Sequence, residues 1–185
     1  LSNLNDKRSN YLELELKKNL AHSEHQTFFS GLSLIKKNIN RILEIGTFNA
    51  QNAFLLSVLF EKAQVITVDL PSDSNDFINS YKRADPNNLE NFLNERNSRI
   101  SKRDNLYIIE KSSVNLINFE KKFDLIWIDG AHFDPIVTMD IINSLNLLSD
   151  KGLSLDNAPF LTDVDTMRAL LESLGCRVVY QKPQK

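Results

Sequence analysis

Short apolar runs recur along the chain at residues 42–45, 65–68, 106–109, 125–128, 153–155 and 178–180. They are rich in Ile, Leu and Val, and most lack the alternation of a half-exposed strand. Such runs read as strands buried on both faces. Stretches with helical periodicity lie between them. Leu161, Val164, Met167, Leu170, Leu171 and Leu174 share one face, and Gly175 is placed to stop that helix. Asp134 and Pro135 read as the N-cap and first residue of a helix running through Leu148. Phe28, Phe29, Leu32 and Ile35 mark a helix before the first run, within an N-terminal helical region at 1–38.

This alternation predicts an α/β fold. The sheet should be mostly parallel, doubly wound and Rossmann-like, with flanking helices and right-handed crossovers. No repeat and no Gly/Ser/Pro-rich linker divides the chain, so 1–185 reads as one domain. The longest connection, 70–105, opens with Asp, Asn and Ser and continues into a charged helical pattern at 89–99. A connection of this length suits a lid or binding loop, or a solvated surface helix.

Composition narrows the classes. The chain is 42% hydrophobic and 25% charged, the profile of a soluble globular protein. A net charge of -2 makes no electrostatic case for nucleic acid. The single cysteine, Cys176, excludes an internal disulfide framework and fits a reducing compartment. No apolar run is long enough to span a bilayer, and the N-terminus lacks a signal-peptide pattern. A cytoplasmic protein with no membrane partner is expected.

Candidate chemistry gathers at the strand ends. The first strand-to-helix turn reads "RILEIGTFNAQNAFLL", with Glu44 inside the strand end, Gly46 at the turn and a helix beginning near Ala50. Gly46 would let a ligand approach the backbone closely. The next strand, "VITVDLP", ends in Asp69, placed to accept from two ribose hydroxyls. In open α/β sheets ligands bind beyond these carboxyl ends. The turn lacks the G-x-G-x-x-G of dinucleotide sites, so a cofactor without phosphates fits better.

Glu44, Gly46 and Asp69 resemble the motifs of class I S-adenosylmethionine-dependent methyltransferases. Glu44, Ile45, Gly46 and Phe48 are similar to "E-I-G-x-F-x-G-x-S" of the cation-dependent O-methyltransferases, the catechol and caffeoyl-CoA type. Ser23, Gln26 and Phe29 resemble that family's leading helix more weakly. The resemblance covers roughly residues 23–174, and implies that Glu44, Gly46, Thr47, Phe48 and Asp69 bind S-adenosyl-L-methionine. Ser112 and Ser113, after the third strand, would flank the adenine; either could instead cap a helix.

The fourth strand ends in "FDLIWIDGAHFDP" and the fifth in "GLSLDNAP". Neighbouring parallel strands would bring Asp129, Asp156 and Asn157 together as oxygen ligands for Mg²⁺ or another divalent cation. The same family carries an Asp and then an Asp-Asn pair at these places. Asp129 would thus serve the cofactor, the metal and catalysis. The alternative is a turn before Pro159, with Asp129 as a cap.

Departures from the family matter as much. Ala50 replaces a glycine, which a helical backbone would tolerate, and Asn52 replaces a serine. His132 stands where relatives commonly carry a lysine base. Histidine as a residue type titrates near neutrality, so His132 is a candidate general base, or alternatively a metal ligand. "IDG-x-H" is also familiar in bacterial sugar- and antibiotic-tailoring relatives. His22 and His25 read as surface or lid residues, and Cys176 and Trp127 as core. The family usually ends with two more strands, and only 178–180 follows the last expected helix here, so either the C-terminal sheet is abbreviated or the sequence stops short of it.

The resulting expectation is methyl transfer to a hydroxyl of a small molecule, such as a vicinal diol or catechol, with a homodimer as the expected assembly. Two other readings stay open. One is an S-adenosylmethionine-binding module without turnover. The other is an NAD(P)-dependent oxidoreductase on the same architecture.

Overall fold

The computed structural model describes residues 29–33, 36 and 38–156. Strands β1 (Arg41–Ile45), β2 (Gln64–Asp69), β3 (Leu106–Glu110), β4 (Phe123–Ile128) and β5 (Leu148–Asp156) form one sheet in the order β3-β2-β1-β4-β5. Every pairing is parallel. The helices are α1 (Gln51–Leu59), α2 (Asn75–Ile78), α3 (Pro86–Ser101) and α4 (Ile136–Leu147), with a 3-10 helix at Ser113–Asn118.

Two apolar cores explain why the central strands show no alternation. Ile42, Val65, Leu125 and Trp127 pack with the buried face of α1. Leu43, Ile45, Ile66, Ile126 and Ile128 pack with Val137 and Ile141 of α4 on the other side. Alternate residues thus enter opposite cores, and both sets are apolar. Each fully buried Leu or Ile contributes about 1.5–3 kcal/mol. Trp127 is a core residue, its ring edge-on to Phe29 at 5.1 Å. Strand β3 lies at the sheet edge and is less buried, with Tyr107 47% exposed.

Strand order reverses between β1 and β4, and the helices beside that point lie on opposite faces. The crevice beyond it is the place where such sheets bind ligands. Residues 29–33 are helical, and Phe29 is fully buried. In α3, Pro86 takes the first position and the Asp85 carboxylate accepts from Asn87 and Asn88 N–H.

Two expected boundaries change. Pro135, not Asp134, is the N-cap of α4, because the Asp134 carboxylate accepts instead from the Thr138 hydroxyl. Leu148 leaves the helix and opens β5, where its backbone pairs with Phe123. β5 then makes a register shift before Leu153 pairs with Leu125. The strand therefore begins well before the apolar run at 153–155. The expected helix at 161–174, Gly175, Cys176, the run at 178–180, Phe28, Ile35, His22, Ser23, His25 and Gln26 lie outside the described residues. No helix among the described residues is long and apolar enough to cross a membrane.

Candidate functional site

The turns leaving the parallel neighbours β1, β4 and β2 lie almost in contact. Asp129 N–H donates to the Ile45 carbonyl at 2.7 Å, and Gly46 N–H to the Val68 carbonyl at 2.8 Å. Gly46 has φ +97, and a Cβ there would lie 2.2 Å from the Asp129 carbonyl oxygen. The space a side chain would need is filled by the protein's own β4 turn, so packing within the protein already calls for glycine here, beside the expected approach of a ligand.

Glu44 points from β1 toward the α1 face and is 1% exposed. The Thr67 hydroxyl donates to its Oε2 at 2.6 Å, and the Asn52 amide to its Oε1 at 2.8 Å. Thr47 and Thr67 hydroxyls also share a hydrogen bond of 2.6 Å. Burial pushes Glu44 from its ordinary 4.5 up to about 8; the Thr67 and Asn52 hydrogen bonds oppose this, while Asp129 and Asp69 add to it. At neutral pH this wall group is mostly neutral.

Asp69 fastens two turns. Phe48 N–H donates to its Oδ2 at 3.0 Å and Leu70 N–H to its Oδ1 at 2.8 Å. Each oxygen keeps a further lone pair for a ligand hydroxyl. Burial raises the Asp69 carboxyl above the ordinary carboxylate range, against the two N–H groups and the guanidiniums of Arg83 and Arg96.

A cavity of about 160 Å³ opens beside these turns. Glu44 and Asp129 line it, with Gly46, Thr47 and Phe48 from the turn and the amides of Asn49, Gln51 and Asn52. Among the described residues no Lys, Arg or His lines it. With Glu44 mostly neutral, its walls suit a polar ligand, and a pyrophosphate would meet the Asp129 carboxylate and no cation. Sequence reading noted Asn52 as a departure, but did not place it, Asn49 or Gln51 in the site. The signal was the cluster of amides where an otherwise apolar helix begins.

Ala50, the N-cap of α1, has φ 62 and ψ 17 and is fully buried. The expected helical backbone is corrected: the residue is left-handed, the conformation a glycine would adopt without strain. The chain must reverse direction between Gly46 and α1, and Ala50 N–H closes that turn onto the Thr47 carbonyl at 2.8 Å.

On the β4 side, His132 Nε2 lies 3.8 Å from Asp129 Oδ1, with the side chains 41% and 27% exposed. Phe133 beside them is 66% exposed. The Asp156 backbone pairs with Ile128, one residue before Asp129, so the two acids end neighbouring strands. Asn157 lies outside the described residues. Among the described residues no group of three His, Cys, Asp or Glu is set to hold a metal. Ser112 is the N-cap of the 3-10 helix without a side-chain cap bond, and the Ser113 carbonyl accepts from Asn143 of α4 at 2.9 Å. Neither serine lines the cavity.

No family model matches the chain, and no curated protein matches it. Solved structures do. A Staphylococcus aureus protein provisionally assigned as a caffeoyl-CoA O-methyltransferase is 16% identical, with TM-score 0.56 over 94% of this chain and 73% of that one. Precorrin-6y C5,15-methyltransferase from Geobacter metallireducens is 16% identical, with TM-score 0.54 over 85% and 74%. An O-methyltransferase from Bacillus cereus, solved with S-adenosylhomocysteine, is 18% identical, with TM-score 0.50 over 92% and 79%. The chain shares the Rossmann-like fold of these methyltransferases.

Proposed function

We propose that this chain transfers a methyl group from S-adenosyl-L-methionine to a hydroxyl oxygen of a small molecule, with help from a divalent cation. One observation carries the reading. Asp69, positioned by the Phe48 and Leu70 N–H groups, stands beside a cavity walled by the Asp129 carboxylate, the neutral Glu44 carboxyl and amides. That arrangement suits a nucleoside with two ribose hydroxyls at one end and positive charge at the other. The fold shared with methyltransferases supports it, one neighbour being named for O-methyl transfer and solved with S-adenosylhomocysteine.

Each residue then has a role. Asp69 accepts from the ribose hydroxyls, while Glu44, Asn52 and the turn at Gly46, Thr47 and Phe48 shape the wall. Ser112 and Ser113 flank the adenine. Asp129, Asp156 and Asn157 supply the oxygen donors that a hard cation prefers. When bound, the cofactor supplies the methyl group, and the cation lowers the pKa of the acceptor hydroxyl. His132 Nε2, 3.8 Å from Asp129, takes the hydroxyl proton. The paired acids suit an acceptor with vicinal oxygens, such as a catechol or sugar diol.

The test combines calorimetry with S-adenosylhomocysteine and transfer of labelled methyl to a panel of catechols and diols. His132→Ala should lower kcat by roughly 10²–10⁴-fold, with S-adenosylhomocysteine affinity held within about twofold. Undiminished turnover in strong chelator would remove the cation from the mechanism. Cofactor binding without transfer to any acceptor would favour a binding module, and tighter binding of NAD than of S-adenosylhomocysteine would favour an oxidoreductase.

A further inference from the structure

The connection between β2 and β3 buries two arginines, Arg83 at 5% exposure and Arg96 at 3%. Buried charge needs compensation. Arg96 bonds Glu110 of β3 at 2.5 Å. Arg83 is held differently. Its Nε donates to the Phe77 carbonyl at 2.9 Å, and a terminal nitrogen donates to the Ser80 hydroxyl. Its guanidinium lies 3.7 Å from the Phe77 ring centre, 4.7 Å from Phe92 and 5.3 Å from Tyr81.

Two of these rings carry the effect toward the site. Phe48 meets Tyr81 at 5.1 Å and Phe92 at 5.3 Å, both edge-on. Phe48 is the residue whose N–H holds Asp69. Its φ of 45 is left-handed, so its backbone conformation is maintained by its surroundings. The same connection braces the next residue, since Arg99 of α3 donates to the Asn49 carbonyl at 2.9 Å.

We infer that Arg83 is a positioning residue for Asp69. It organises the ring cluster that keeps the Phe48 N–H on the carboxylate, and it presents positive charge to that carboxylate, so that Asp69 remains an acceptor for two hydroxyls. The inference rests on the proposed reading of Asp69 as the diol-binding acid. Several groups bear on Asp69. The N–H groups of Phe48 and Leu70 bond it, and Arg83 and Arg96 of the connection lie within electrostatic reach of it. Glu110 is its partner across β3, Glu44 lies within electrostatic reach on β1, and Lys111 meets its main chain. Tyr81 lies one ring away. Burial lifts the Asp69 carboxyl, and removing a guanidinium lets it rise further.

Carbon-13 titration of the Asp69 carboxyl, without ligand, tests the electrostatic half directly. Arg83→Gln keeps a donor for the Phe77 carbonyl and should raise the Asp69 midpoint by about one pH unit, whereas Arg83→Lys should recover at least about half of that shift. S-adenosylhomocysteine calorimetry tests the consequence. Arg83→Gln should weaken binding by about tenfold at a pH below the measured Asp69 midpoints and by less at a pH above them, where Asp69 is ionised in both proteins. If Arg83→Gln does not fold, Tyr81→Ala with Phe92→Leu removes the ring contacts and should shift the same titration upward. An unchanged titration and equal binding at both pH values in whichever variant folds overturns the inference. A shifted midpoint in a protein that does not bind S-adenosylhomocysteine would sustain the role of Arg83 and overturn the cofactor reading alone.

Discussion

The flanks of the switch point hold their acids in different ways. On the β1–β2 side, Glu44 receives hydrogen bonds from Thr67 and Asn52, and Asp69 from two backbone N–H groups. Arg99 braces the Asn49 carbonyl from α3. On the β4 side, His132 and Asp129 stand 3.8 Å apart, too far for a direct hydrogen bond, with His132 and Phe133 well exposed. The first flank is organised before any ligand arrives, which lowers the cost of binding a rigid ligand. The second is exposed and has room to adjust. On the proposed function, cofactor recognition and acceptor variation would fall to different strand ends.

The largest expected effect comes from breaking the point where the flanks meet. Gly46→Ala places a methyl 2.2 Å from the Asp129 carbonyl oxygen, at a φ of +97. Both neighbours are main chain, so no side-chain rotation relieves the clash. A loss on the order of 4 kcal/mol is expected, a large share of a domain's stability. Urea unfolding checks it. A variant as stable as the parent would mean that the β1 and β4 ends do not approach this closely, and the contrast between flanks would lose its basis.

An intermediate effect tests whether the β1–β2 flank is held as a neutral network. Glu44 has a folded value of about 8 against an ordinary 4.5. For an acid raised in this way, the stabilising contribution is fully present below about 4.5 and is lost as pH rises through about 8. The parent should therefore lose up to a few kcal/mol over that window. Glu44→Gln cannot ionise and should show a flatter profile, near the parent at the acid end and above it at the alkaline end. Urea midpoints across the window decide it, and parallel profiles would show that Glu44 is charged throughout.

Sequence reached the two flanks unequally. Glu44, Gly46, Asp69 and Asp129 were legible because strand ends are marked by an abrupt change from apolar to polar residues. The fold was legible because central strands are apolar on both faces. What escaped depends on contacts between distant segments. Arg83 and Arg96 sit in a polar connection, and only the packing of Phe77, Phe92 and Tyr81 turns them into buried groups. Leu148 reads as helical because apolar periodicity continues through it, yet pairing with Phe123 places it in β5. The packing reason for Gly46 was not legible because the obstructing atom belongs to Asp129, far away in sequence.

The smallest expected effect is the most diagnostic for backbone strain in the organised flank. Ala50 is fully buried with φ 62. In an ordinary helical position, Ala→Gly would cost about 1 kcal/mol in propensity and about 0.8 kcal/mol for the buried methyl, roughly 2 kcal/mol together. In the left-handed region, the same change relieves about 1–2 kcal/mol held by the alanine. These contributions nearly cancel, so Ala50→Gly should leave stability within about 1 kcal/mol of the parent. A loss near 2 kcal/mol would place Ala50 in an ordinary helical turn. A near-neutral result would show that the flank tolerates a strained residue because Thr47, Asp69 and α1 together fix the turn around it.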